Sequence, residues 1–309
     1  MQNFIQYTVD GLTLGSVYAL IALGYTLVYG VLKLLNFAHG DVFMVGTFVG
    51  YGVLQELGGP MNPKVPIWLL ITLVTLASMA VTAGLGVVIE RFAYRPLRDA
   101  PRIAPLISAL GVSFFLSNSM QLLFGATPRN YDLFEYHGGS LYLRGLHIAG
   151  VTVPLLRIIT IVAAFVLMVI LWFLVNKTRT GKAMRATSYD REAAAMMGID
   201  IDRVIVFTFI LGSALAGAAG VMFALRVPTN VSIGFIAGLK GFIAAVVGGI
   251  GSIPGAMLGG LVLGFAESYV QGYVPNGTQW SDLYVFSGLV LLMIFRHQGL
   301  LGRPDIRKV

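Results

Sequence analysis

Pro154-Leu-Leu-Arg-Ile-Ile-Thr-Ile-Val-Ala-Ala-Phe-Val-Leu-Met-Val-Ile-Leu-Trp-Phe-Leu-Val175 carries one charged side chain, Arg157, near its start and is almost wholly apolar thereafter. A helix needs roughly 20 apolar residues to cross a hydrocarbon layer about 30 Å thick, so this stretch reads as a membrane span. Its continuous apolarity differs from the short alternating strands of a membrane β-barrel. Helices are the remaining way for the backbone to satisfy its own hydrogen bonds in lipid. The whole chain has this character: its 309 residues are 57% hydrophobic and 11% charged, with mean hydropathy +0.82, outside the range of soluble globules. The expected fold is all-α and polytopic, with about eight or nine spans or re-entrant segments in one bundle. Residues 1–309 then form a single transmembrane domain embedded in a lipid bilayer.

C-terminal to that span comes the most charged stretch, Lys177-Thr-Arg-Thr-Gly-Lys-Ala-Met-Arg-Ala-Thr-Ser-Tyr-Asp-Arg-Glu-Ala-Ala-Ala-Met-Met-Gly-Ile-Asp-Ile-Asp-Arg203. It holds six of the 21 basic and four of the 14 acidic residues. The next apolar run, Val204 to Leu225, leaves the membrane side on which this loop (176–203) lies. Thr187 with Asp190 fits a capping pattern, Gly198 suits the position after a helix, and Asp200 or Asp202 is placed to cap the following span. A helix of about two turns between these caps sets Tyr189, Ala193 and Met197 at i, i+4 and i+8. Such a narrow apolar ridge fits either a groove on a soluble partner or the lipid interface.

N-terminal to the opening run, the spans expected are Leu12–Tyr29, a second run ending near Leu54, Ile67–Ile89 and Ile103–Phe124. Gly58 to Lys64 is turn chemistry that closes the second run. The loop Glu90 to Arg102 contains Arg91, Arg95, Arg98 and Arg102, which places it in the cytoplasm by the positive-inside rule. Gly125 to Val153, with Arg129 and Arg144 against Asp132 and Glu135, belongs outside. Counting back puts the N-terminus outside, in accord with the absence of Lys and Arg from Met1 to Asp10. That stretch lacks the basic region of a signal peptide and reads as retained.

Towards the C-terminus, Ser232 to Tyr273 must start and finish outside, as two short crossings or a re-entrant pair joined by Gly248-Gly-Ile-Gly-Ser-Ile-Pro-Gly255. A last span around Val290 returns the tail, with Arg296, Arg303, Arg307 and Lys308, to the cytoplasm. The net charge of +7 thus collects at span ends, which speaks for membrane orientation and against a nucleic-acid partner. There is no cysteine, so disulfides, thiol catalysis and thiolate metal sites are excluded.

Two breaks interrupt apolar stretches near opposite ends of the chain, Asn36 to Gly40 and Gly248 to Gly255. Such breaks point to an inverted-repeat transporter whose interruptions border the pathway. On that reading Asn36, His39 and Asp41 at the first break, and Gly249 and Gly251 at the second, are candidate pathway or gate residues. The alternative at the first break is a loop that bonds to itself. Lys240 and Glu267 are ionisable within apolar runs and can pair, as a gate, as a structural ion pair, or with Lys240 snorkelling to the surface. Gly212, Ala216 and Gly220, like Gly251, Gly255 and Gly259, repeat at the four-residue spacing of close helix packing. No metal-ligand spacing surrounds His39, no nucleophile–base set is present, and no Gly-x-x-x-x-Gly-Lys-Ser/Thr phosphate loop occurs. Catalysis and cofactor binding are therefore not expected here, and any ATP hydrolysis falls to another chain.

Glu192-Ala-Ala-Ala-Met-Met-Gly198 resembles the core of the loop by which ABC importer permeases contact their ATPase subunits, without the Leu-Pro ending. Asn36-Phe-Ala-His-Gly-Asp41, Glu90-Arg-Phe-Ala-Tyr-Arg-Pro-Leu-Arg98, Thr178-Arg-Thr-Gly-Lys-Ala-Met-Arg185, Gly248 to Ala256 and Leu301-Gly-Arg-Pro304 are together similar to the permease subunit of the high-affinity branched-chain amino-acid ABC transporter. The resemblance covers essentially the whole chain. It implies a bacterial inner-membrane importer with a second related permease, two ATPase subunits that bind ATP and Mg, and a periplasmic or lipid-anchored substrate-binding protein. It also implies an ATPase-coupling role for Tyr189, Glu192, Ala193, Ala194, Met197 and Gly198. Related permeases handle urea and other small polar solutes, which stands as one alternative. A stand-alone ion-coupled carrier using Lys240, Glu267 or Asp41 is another. A membrane enzyme lacks a catalytic constellation.

Overall fold

The apolar runs fold into helices whose ends fall at charges, glycines and prolines: α1 (Gln2–Leu32), α2 (His39–Glu56), α3 (Ile67–Ile89), α4 (Ile103–Phe124), α5 (Leu155–Lys177), α6 (Arg179–Tyr189), α7 (Arg191–Met196), α8 (Ile201–Ala224), α9 (Ile233–Gly248), α10 (Ile253–Tyr273) and α11 (Gly277–Phe295). This computed structural model describes residues 2–59, 66–98, 100–101, 103–131, 135–136, 139–140, 145–148, 151–296 and 298–302, with the backbone alone at 135–136, 139–140 and 147–148. Pro60 to Lys64, Arg102, Asp132, Arg144, Arg303, Pro304, Arg307 and Lys308, all used in the sequence reading, lie outside the described residues.

Among the described residues seven helices are long and apolar enough to cross a membrane: α1, α3, α4, α5, α8, α10 and α11. Of the two further helices packed into the bundle, α9 is apolar but has only 16 residues, and α2, with 18, is less apolar, carrying His39 and Asp41 at its start and Gln55 and Glu56 at its end. At 1.5 Å per residue α9 extends about 24 Å, less than the hydrocarbon thickness. The chain is thus an all-α multi-pass membrane protein. Two small antiparallel hairpins interrupt that class, β1 (Glu135–Tyr136) with β2 (Gly139–Ser140) and β3 (Gly145–Ile148) with β4 (Val151–Pro154). They correct the expectation of a plain loop over Gly125 to Val153, where charge counting passed over the β-branched pair Val151 and Val153.

Burial sorts the helices into a centre and a rim. In α1 the most apolar window is 94% buried, against 11% in α11, so α1 is the axis of the bundle. The rim helices α3, α4, α5 and α11 turn Trp68, Phe115, Phe173 and Ile294 outward. Large apolar side chains exposed in this way are the expected lipid-facing surface of a helical bundle.

Reciprocal packing divides the helices into two sets, α1–α2–α3 and α8–α9–α10. The third helix of each set packs extensively on the first of the other, α10 on α1 and α3 on α8, while α2 meets α8 and α9 meets α1. The short helices begin alike: His39 N donates to Asn36 O at 3.1 Å and Ile233 N to Asn230 O at 3.2 Å, with Gly40 and Gly234 each four residues beyond the asparagine. With α1 to α5 counted as five crossings, α8 enters from the side opposite to α1, and the repeat is inverted. The counterpart of the Asn36–Gly40 break is therefore Asn230–Gly234. The glycine turn at Gly248–Gly255 has a different place, the tip of the α9–α10 hairpin.

Candidate functional site

Three arrangements bear on function, and the first lies in the charged loop. Instead of one helix of about two turns, the structure has α6 and α7, separated at Asp190. Thr178 caps α6, its hydroxyl accepting from Gly181 N, and Asp190 caps α7, its carboxylate accepting from Ala193 N at 3.0 Å. Thr187 is buried inside α6 and takes no part in that cap. Tyr189 ends α6, so the expected ridge of Tyr189, Ala193 and Met197 is not carried by a single helix. The stripe that α7 presents is Glu192, Ala193, Met196 and its C-cap Met197, all exposed, whereas Ala194 is 4% exposed and faces the bundle. Gly198, at φ +81°, adopts the left-handed conformation that follows a helix end. Asp200, and not Asp202, caps α8 through Arg203 N.

Behind this stripe, charge ties the loop to the core. Arg191 Nη2 donates to Val31 O, near the end of α1, at 3.0 Å. Burial, with Arg98 adding, holds the Arg191 guanidinium below its ordinary pKa. Asp202 accepts from Arg95 at 2.5 Å and from Arg98, and Arg98 also pairs with Glu90. Glu90 to Tyr94 form a π-helical turn and Arg95 to Leu97 a 3-10 turn, so the expected loop after α3 is mostly helical. The sequence reading treated its arginines as orientation markers alone and missed this junction.

The second arrangement is the first break. His39, Gly40 and Asp41 form the opening turn of α2 and not a loop, where an acidic residue complements the helix dipole. Asn36 Oδ1 accepts from Ala38 N at 3.1 Å and from the Tyr94 hydroxyl at 3.3 Å. Asp41 accepts from Ser117 at 2.7 Å and from Ser113, both on α4. His39 lies edge-on to Tyr25 with ring centroids 4.7 Å apart. All three residues are buried, so this break is closed upon itself and its neighbours.

The third arrangement is a buried ion pair, Lys240 with Glu267, extended to an exposed aspartate, Asp282. Lys240 Nζ of α9 lies 2.7 Å from Glu267 Oε1 of α10 and 2.9 Å from Asp282 Oδ1 of α11. The Tyr18 hydroxyl of α1 donates to Glu267 Oε2 at 2.9 Å, and Gln271 Nε2 donates to Oε1 at 3.2 Å. Lys240 therefore does not snorkel. The sequence reading allowed a Lys240–Glu267 pair but missed Asp282, which follows the polar Thr278, Gln279 and Ser281 in the opening turns of α11 and so does not stand out as a charge within an apolar run. Gly249 and Gly251 sit away from this cluster at the hairpin tip, with φ +103° and +92°. The tail covers Gly249, with Leu300 N donating to Val247 O at 2.8 Å and Leu301 N to Gly248 O at 2.9 Å.

Among the described residues no group of three or more His, Asp or Glu could hold a metal ion. The chain matches the family described as branched-chain amino acid transport system / permease component over residues 7–295. It is 41% identical over 308 residues to the high-affinity branched-chain amino acid transport system permease protein BraD of Pseudomonas aeruginosa, covering 99% of this chain and 98% of that one. With the permease protein LivH of the same kind of system in Escherichia coli it shares 39% over 307 residues, again 99% and 98% of the two chains. The permease protein LivM of Escherichia coli is a more distant relative, 26% identical over 329 residues, 97% of this chain and 72% of LivM.

Proposed function

This chain belongs to the branched-chain amino acid transport permease family, and on that premise we propose that it is the membrane-spanning subunit of an ATP-driven importer for leucine, isoleucine and valine. It works with a second related permease, a role that similarity to both LivH and LivM favours. Two ATPase subunits hold ATP and Mg, and a periplasmic or lipid-anchored protein delivers substrate. The chain sits in the bacterial inner membrane. Val31, Arg98, Arg191 and Asp202 meet at one end of the bundle, and the basic residues gathered there favour the cytoplasm, leaving the N-terminus outside and the C-terminus inside.

The observation that carries the coupling mechanism is α7, a capped helix with Glu192, Ala193, Met196 and Met197 exposed and with Arg191 and Ala194 turned to the core. An ATPase groove receives the exposed stripe, with Tyr189 and Gly198 at its borders. When ATP binding draws the ATPases together, the displacement of α7 passes through Arg191 to α1, the axis of the bundle, and through Asp202 to α8 and the arginine junction. The Lys240–Glu267–Asp282 cluster is the gate between the hairpin and α11. Asn36, His39 and Asp41 hold the opening of α2 against α4 and α9 in the closed pathway, and Gly249 and Gly251 let the hairpin tip move with the tail.

Reconstitution tests the reading: with partner ATPases and binding protein in proteoliposomes, uptake of labelled leucine should require ATP and be competed by isoleucine and valine. Uptake by the chain alone under an ion gradient would establish the carrier reading instead. Competition by urea with none by leucine would reassign the substrate.

A further inference from the structure

On α4 the residues buried against the bundle are Pro105, Ala109, Leu116 and Met120. Gly111 and Asn118 come two residues after Ala109 and Leu116, so at about 100° per residue they stand on the opposite side of the helix, with Phe114 between them. Asn118 is exposed, and among the described residues its side chain bonds only within its own helix, Nδ2 donating to Phe114 O at 2.7 Å. It lies six residues before the end of α4, about 9 Å into a helix about 33 Å long. A short carboxamide at that depth does not reach the headgroups, and hydrocarbon offers it no partner. Gly111 is exposed too, and a Cβ there would meet nothing within 4 Å. A glycine inside a helix weakens it, and nothing in this chain uses the close approach that Gly111 permits.

By contrast, α5 shows a side fitted to lipid: from Val162 to Phe173 every exposed residue is apolar. α4 packs chiefly on α2 and on the π-helical turn after α3. Hydroxyls fasten it there, Ser113 and Ser117 to Asp41, and Ser108 to Ala93 O at 3.0 Å. In the second repeat α11 follows α8, α9 and α10 as α4 follows α1, α2 and α3. It has the same character, with Gln279, Asp282 and Ser287 exposed and Gly288 meeting nothing within 4 Å. α4 packs on α2, α2 on α9 and α9 on α11, which sets the two helices at the flanks of one side of the bundle. Between them the start of α9 exposes Phe235 and Ile236.

We propose that this side, from the Gly111–Phe114–Asn118 edge of α4 to α11, is the surface on which the second, related permease packs. The inference rests on the heteromeric importer proposed above and adds to it the place of contact. Lipid tails cannot bond Asn118 or Asp282, and a soluble partner cannot reach Asn118 at its depth. The ATPase surface is not the partner either, because Arg129 beyond α4 pairs with Thr229 beyond α8, which puts Asn118 towards the end of the bundle opposite α7. A membrane helix with small and polar residues satisfies both the carboxamide and the open glycine. Two identical copies would repeat the same patch about a two-fold axis. Neither α4 nor α11 contains a Lys or Arg to set against the partner's Asp282, which favours a related chain over a second copy of this one.

The test uses the complex purified in detergent with its partners. The photo-crosslinking residue p-benzoylphenylalanine is introduced during synthesis at Phe114 of α4, which is 68% exposed, or at Phe165 of α5 as a control. Phe114 should give an adduct with the second permease, identified by peptide mass spectrometry, at least several-fold above that from Phe165. Asn118→Leu should reduce the co-purified second permease several-fold without lowering the thermal midpoint of the chain, and Asn118→Gln should restore part of it. A Phe114 adduct with another copy of this chain overturns the inference, as does a second permease retained at the wild-type level by Asn118→Leu. Adducts with lipid alone, in a complex that imports leucine on ATP, overturn the contact and leave the function standing. A functional preparation without any second permease overturns both.

Discussion

Arg191 of α7 reaches the carbonyl oxygen of Val31 near the end of α1 at 3.0 Å, so a short helix with an exposed face is bonded to the most enclosed helix of the bundle. The last carbonyls of a helix lack partners within it and carry the negative end of its dipole, which makes Val31 a natural acceptor for a guanidinium. Arg191→Ala should cost about 1 kcal/mol or less of stability, because the site is partly exposed. Uptake in the reconstituted system should fall several-fold while ATP hydrolysis and co-purification persist. Arg191→Lys, which retains a donor, should recover part of it. Unchanged uptake in Arg191→Ala would remove this bond from the coupling route.

The cluster around Lys240 allows a sharper test, because its members are mutually dependent. Removing one partner of a buried ion pair leaves the other uncompensated and costs roughly 3–5 kcal/mol, whereas replacing both can be nearly neutral. Lys240→Met should therefore lower the thermal midpoint markedly, and Lys240→Met with Glu267→Gln should recover much of the loss. If the pair also gates the pathway, the double variant will be stable but slow in uptake. A stable double variant with normal uptake would reduce the cluster to a structural role.

Close approach of the two repeats rests on glycine. A Cβ at Gly40 would fall 2.3 Å from Gly234 O and 2.8 Å from Gly238 Cα, and one at Gly220 would fall 2.5 Å from Phe43 O. Backbone cannot retreat from such contacts as a flexible side chain can. Gly40→Val and Gly220→Leu should each reduce folded protein strongly, by more than the ~1–3 kcal/mol of ordinary overpacking. Gly30 is also helical but meets nothing within 4 Å, so Gly30→Ala should be neutral or stabilising by up to ~1 kcal/mol. Size-exclusion profiles of the three variants check the contrast. A monodisperse Gly220→Leu protein of wild-type stability would mean that α8 packs by another face.

Helix existence was legible because hydrophobicity in lipid is a one-dimensional signal: Ile67, Ile89, Ile103 and Phe124 were placed as span ends and are helix ends. What was not legible depends on three-dimensional neighbours. His39 to Asp41 looked like loop because Gly40 suggests a break, yet Gly40 is the residue that lets α2 and α9 touch. The pairing of Lys240 with Glu267 could be foreseen from two lone charges, but Tyr18 lies 222 positions before Lys240 in the chain and carries no sign of its role. In the charged loop, capping chemistry located Gly198 after the helix end, but it paired Thr187 with Asp190 as a capping pattern, whereas Asp190 is itself the cap of α7. Thr187 proved to be buried, and Tyr189 moved to the preceding helix as a result.

That division decides where to probe the partner contact. Positions 192, 193, 196 and 197 are spaced i, i+1, i+4 and i+5, which holds them on one side of α7, with Met196 81% and Met197 83% exposed. Methionine adapts to irregular apolar grooves, and a lone glutamate beside it adds charge selectivity. Glu192→Lys with Met196→Ala should leave folding intact, since neither side chain is buried, but should abolish co-purification of the ATPases or uncouple hydrolysis from uptake. Ala194→Leu probes the opposite face and should lower thermal stability instead, because its methyl group is packed against the bundle. Gly198→Arg tests the turn: a side chain at φ +81° is strained by roughly 1–2 kcal/mol, enough to tilt α7 without unfolding the spans. ATPase retention measured by pull-down, alongside ATP-driven uptake, separates the three. If Glu192→Lys with Met196→Ala retains both while Tyr189→Ala loses them, the partner contact runs along α6 and not α7.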